Sequence, residues 1–100
     1  MTDYRTHLRS RLIESEVPIP LHSGLVEYFA GRRETGGFLK AVLENDLREA
    51  CVRADDFNRY EIATIVLFLN RYVPSTAWGS PAIVEAWLAS SDPVPEIFER

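Results

Sequence analysis

Six prolines and five glycines cut this chain of 100 residues into five pieces, and each piece carries its apolar residues at helical spacing. Proline removes a backbone donor and glycine loosens the backbone, so either one ends or weakens a regular element. Short helices joined by short loops are what such punctuation permits. In the first piece Tyr4, Leu8 and Leu12 recur four residues apart on one stripe, with Arg5, Arg9 and Arg11 around it, which predicts an amphipathic helix ending before Pro18. The second piece places Pro20 in a first turn, sets Leu21, Leu25, Tyr28 and Phe29 on one side, and stops at Gly31; Gly24 weakens it.

The third piece reads as a single helix from about Phe38 to Ala54. Steps of 100° per residue gather Leu39, Val42, Leu43, Leu47, Ala50 and Ala54 on one apolar face, with Lys40, Glu44 and Arg48 opposite. A fourth helix spans about Phe57 to Tyr72 and stops before Pro74. Asp55, Asp56 or Asn58 can cap it, Asn58 together with Glu61 in the manner of a capping box. Within it IATIVLFL has the length and branching of a buried strand, but its context favours helix. Ser80 and Pro81 open a fifth helix that turns Ile83, Val84, Trp87 and Leu88 inward and ends near Ala89. The expected fold is all-α, a small compact bundle of four to five helices. Residues 1–17 form an N-terminal amphipathic helix or extension, residues 18–90 the helical core domain, and residues 91–100 a flexible C-terminal tail.

Composition bounds the function. Hydrophobic residues make up 46% and charged residues 26%, the balance of a globular domain. The net charge of -4 disfavours nucleic acid and anionic membrane surfaces as partners. Cys51 stands alone, and with only His7 and His22 beside it the chain lacks the ligands of a structural zinc site, so no metal and no cofactor are expected. No apolar run approaches the roughly 18 residues that span a bilayer, and the N-terminus lacks an apolar signal core, which fits a cytoplasmic protein.

The segments GGFLKAVLENDL, RADDFN, IVLFLN and WGSPAIVEAWL together resemble a family of short, mostly uncharacterised proteins of bacteriophages and prophages. The resemblance covers about residues 18–88. The first 17 residues lie outside it, and Phe57 and Leu67 stand where the family pattern carries polar residues. It implies an origin in a phage or mobile element and action in the cytoplasm of a bacterial host. It carries no activity.

No nucleophile and base are paired in the sequence, so catalysis is not expected. Asp46 is the most informative polar residue, because the helical wheel sets it amid Leu39, Val42, Leu43 and Ala50. A carboxylate there needs partners, and Arg53, the Trp78 indole or the backbone of the Trp78–Gly79–Ser80 turn can supply them. Two readings follow: a buried brace between helices, or a ligand-binding pocket for a small molecule or nucleotide built from Asn45, Asp46, Arg53, Trp78 and Ser80. Cys51 falls at the margin of the same face and reads as a small buried hydrophobe.

The fourth helix carries the sharper clue, since its apolar residues do not fit on one face. Ile62, Ile65, Val66, Leu69 and Tyr72 make one stripe; Phe57, Tyr60, Leu67 and Phe68 trace another. Such a helix is either central in its bundle or covered by a partner. The expected function is therefore non-covalent protein binding through Phe57, Tyr60, Leu67 and Phe68. From the phage origin that the resemblance implies, the expected partner is a bacterial host protein, inhibited or modulated, with host defence machinery as one candidate target. A homodimer is the other occupant of that stripe.

Overall fold

The computed structural model describes residues 3–94, and in these the chain forms six α-helices and two 3-10 turns with no strand. Helix α1 (Tyr4–Glu14) is capped by Asp3, whose carboxylate accepts from the Thr6 amide at 2.8 Å, and it buries Tyr4, Leu8 and Leu12 as the stripe predicts. These side chains enter the same core as those of the later helices. A 3-10 turn (Ile19–Leu21) leads into α2 (His22–Gly31), which buries Leu25, Val26, Tyr28 and Phe29. Gly24 answers a close approach here: a Cβ on it would stand 3.1 Å from Leu39 Cδ1. Helix α2 does end at Gly31, yet the left-handed residue that turns the chain is Arg32, at φ 53°.

The single helix expected from Phe38 to Ala54 is two helices, α3 (Gly37–Leu43) and α4 (Leu47–Arg53). Asn45 takes the left-handed conformation at φ 60°, its amide donates to Val42 O at 3.0 Å, and the Asp46 amide donates to Ala41 O at 2.9 Å. That pair of bonds is a Schellman stop, with asparagine in the position glycine usually fills. Asp46 then starts α4, its side chain accepting from the Glu49 amide at 3.0 Å. The Gly79 amide, 2.7 Å from Leu43 O, satisfies a further carbonyl at the end of α3 and ties the Trp78–Gly79–Ser80 turn to it.

A second 3-10 turn (Asn58–Glu61) precedes α5 (Ile62–Tyr72), so the fourth helix is shorter at its start than its apolar pattern suggests. None of the three candidate caps starts α5, whose N-cap position is Glu61 with no side-chain bond; Asp55 instead accepts from the Asn58 amide at 2.6 Å in the preceding turn. Helix α6 (Pro81–Ala89) has Ser80 as its cap and Pro81 at its first position, and it buries Val84 and Trp87. Of the tail expected over 91–100, only 91–94 fall within the described residues; Arg32 donates to Asp92 O at 2.9 Å, and Val94 packs on the core.

Buried polar groups join the helices at fixed points. The Tyr28 hydroxyl donates to Ala77 O at 2.7 Å, and the Tyr4 hydroxyl to Tyr72 O at 3.0 Å. Burial pushes both phenols well above their ordinary value of 10. Tyr28→Phe strands the Ala77 carbonyl and is expected to cost about 1–3 kcal/mol in chemical denaturation; a loss below about 0.5 kcal/mol would show that water replaces the phenol.

Helices α1 and α2 are also linked by charge, Arg5 pairing with Glu27, which lies 3.7 Å from Arg33 as well. The bond from Arg5 holds the Glu27 carboxyl below its ordinary value of 4.5. A depressed acid stabilises the fold above that value, and the contribution fades as pH falls through the folded pKa. The gap in melting temperature between wild type and Glu27→Gln should therefore narrow steadily below pH 4.5. A gap that stays constant down to the acid limit contradicts the pairing.

Candidate functional site

The Schellman stop decides the fate of the polar residues singled out above. Continuing one helix through Asn45 would have kept Asp46 against the core, whereas the left-handed residue swings it outward. Asp46 and Asn45 are both exposed, and Asp46 spends its carboxylate on the start of α4. The expectation of a buried Asp46 paired with Arg53 or Trp78 is thus overturned. Arg53 is exposed and pairs instead with Glu49 at 2.6 Å, one turn back on its own helix. Ser80 caps α6, and Trp78 is half-buried beside the core.

Neither cavity that Asn45, Asp46 or Arg53 lines here reaches Trp78 or Ser80. Asn45 and Asp46 border a notch of about 30 Å³ between α4 and α5, room for about one water and far below the roughly 300 Å³ of a small-ligand pocket. Arg53 lines a separate groove with Gly37, Lys40 and Glu44. Cys51, expected to be buried, is exposed for the same reason as Asp46. His7 is buried in α1, and His22 holds a ring nitrogen 2.8 Å from Val17 O, a bond local to its own turn. Among the described residues no three His, Cys, Asp or Glu side chains are placed to share a metal ion, and no helix is long and apolar enough to cross a membrane.

The second stripe fares differently. Helix α5 buries Ile65, Phe68 and Leu69, so Phe68, at 6% exposure, belongs to the core and not to a contact surface. Leu67, two steps or 200° on from the fully buried Ile65, points away from the core at 69% exposure. Phe57 at 66% and Tyr60 at 83% stand exposed in and before the turn that feeds α5. Two further apolar side chains, not foreseen from the sequence, extend this surface. Leu47, first residue of α4, is 65% exposed, and it lines the notch with Ile62 and with Val66, itself 36% exposed. The signal for Leu47 was present in the Asn45-Asp46 pair, a left-handed former followed by a helix cap.

Leu47 on α4 thus meets Val66 at the notch, Leu67 follows Val66 on α5, and Tyr60 and Phe57 stand exposed in and before the turn that leads into this helix. From Ile62 to Asn70 no charged residue interrupts it. Charges stand around it: Asp55, Asp56, Arg59 and Glu61 before α5, Arg71 near its close, and Asp46 beside Leu47 on the α4 side. An uncharged apolar centre with a charged rim is the make-up of a protein contact surface. Comparison with family models, curated proteins and solved structures yields no match.

Proposed function

We propose that this protein acts by non-covalent protein binding, without catalysis, through the apolar surface formed by Leu47, Phe57, Tyr60, Val66 and Leu67. The observation that carries this reading is Leu67 itself, 69% exposed in the middle of a helix whose residues 62–70 bear no charge. A solvated helix face ordinarily carries Lys, Glu or Arg, and large apolar side chains on it lower solubility unless something covers them. The resemblance of residues 18–88 to phage and prophage proteins supplies the rest of the proposal: a bacterial host protein, held in the host cytoplasm, whose activity the binding inhibits or modulates. Defence machinery is one such target.

The test is affinity capture from bacterial lysate with wild type and Leu67→Lys. Because Leu67 makes little contact within the fold, the variant should keep its helical circular dichroism and its melting temperature. It should lose the captured partner by at least about 30-fold, the effect of removing a central contact residue. Identical capture by the two proteins sinks the proposal.

A further inference from the structure

We infer that, where no other protein partner is bound, this surface is covered by a second copy of the same chain, paired antiparallel across α5 about a two-fold axis between Val66 and Leu67. The inference rests on the reading of the face as a protein-docking surface and names what docks there.

Charge fixes the direction. The start of α5 is acidic, with Asp55, Asp56 and Glu61 outnumbering Arg59, and its last turn carries Arg71. Arg59 is already engaged by Asp56 at 3.5 Å, while among the described residues neither Glu61 nor Arg71 has an ion-pair partner within its own chain. A parallel pairing would bring Arg71 against Arg71 and acid against acid. The antiparallel pairing sets Arg71 over Tyr60 and Glu61 of the second copy, a cation beside an aromatic ring and a carboxylate, and it opposes the two helix dipoles.

The spacing of exposed residues fits the same symmetry. Ala63, Val66, Leu67 and Asn70 face outward on α5 at intervals of three and four, and the series reads the same in both directions about its centre. In an isologous contact Val66 therefore meets Leu67 of the second copy, and Ala63 meets Asn70. Ala63 is small enough to let the two helices approach closely. Leu47 sits on the Val66 flank and widens the apolar centre.

Area is the remaining requirement. Scaled by their exposures, Phe57, Tyr60, Leu47, Leu67 and Val66 offer on the order of 500 Å² of apolar side chain per copy, hence about 1,000 Å² over two, the threshold of a specific interface. The rim of Ala63, Asn70, Arg59 and Arg71 carries the total into the usual range of about 1,200–2,000 Å².

Sedimentation of the full chain from micromolar to millimolar concentration tests this. A species of twice 11.4 kDa is expected at the upper end. Leu67→Lys, which enters a two-fold contact twice, should raise the dissociation constant by at least about 100-fold, and Arg71→Glu by about tenfold, with circular dichroism unchanged in both. Direction is read by disulfide cross-linking in a Cys51→Ser background. When chains bearing Ala63→Cys are mixed with chains bearing Asn70→Cys, linkage of unlike chains is expected, and linkage of like with like overturns the antiparallel pairing. A dimer indifferent to Leu67→Lys overturns the inference. A chain that stays monomeric throughout overturns it as well. In that last case, capture of a lysate protein that is lost in Leu67→Lys leaves the docking reading standing, and capture that ignores Leu67→Lys ends both.

Discussion

Trp87→Ala is expected to lower the stability of the fold by about 3–5 kcal/mol, the range for removing a buried large aromatic. The ring is 8% exposed and its Nε1 donates to Tyr28 O at 2.9 Å, which ties α6 to the middle of α2. On its other side the Arg32 guanidinium lies 3.9 Å from the ring centroid and donates to Trp87 O at 2.8 Å. Arg32 can reach there because its left-handed backbone ends α2 and turns the side chain towards α6. Truncation therefore opens a cavity, takes the indole donor from Tyr28 O and removes the ring beneath the Arg32 guanidinium at once. A domain of this size has roughly 5–15 kcal/mol in hand, so the variant should melt about 15–30 °C lower or fail to fold. Trp87→Phe keeps most of the volume and loses the N–H, and about 1–2 kcal/mol is expected for it. An alanine variant within about 1 kcal/mol of wild type in urea denaturation would mean that α6 does not pack through Trp87.

The parts of this fold that were legible in the sequence are those whose signals are local. The stripe of Tyr4, Leu8 and Leu12, the Ser80-Pro81 start of α6 and the halt of α5 before Pro74 each rest on neighbouring residues, and each lies where expected. The break between α3 and α4 was not legible from periodicity, because a wheel carried at 100° per residue has no means of recording a left-handed residue. At Asn45 the phase resets, and everything counted through it comes out turned: Asp46 and Cys51 reach solvent, and Leu47 leaves the core for the surface. Ala50 alone of the α4 helix stays buried. The candidate surface was half legible for a related reason. Phe57, Tyr60 and Leu67 were marked by apolar residues in excess of one face, while Phe68, assigned to the same stripe, is turned into the core by the packing of α5. The polar pocket failed with the single long helix on which it depended.

Two substitutions two residues apart on α5 should have opposite consequences, and the contrast is the sharpest statement of how this helix is placed. Ile65 is fully buried, whereas Leu67 stands on the outer side. Ile65→Lys forces an ammonium into the core, where among the described residues no buried carboxylate receives it. A loss of several kcal/mol is expected, enough to unfold much of the population at room temperature. Leu67→Lys exchanges a solvated leucine for a solvated lysine and should leave the melting temperature nearly unchanged, within the roughly 0.5 kcal/mol typical of surface replacements. Circular dichroism melts of the two variants decide the matter. If Leu67→Lys unfolds as Ile65→Lys does, the outer side of α5 is internal and no partner, host protein or second copy, docks on it. If Ile65→Lys folds normally, α5 is rotated from the placement described, and the exposed apolar surface loses its basis. Only the asymmetric result, one variant unfolded and the other folded but unable to associate, is what a helix with one face in the core and one face for binding produces.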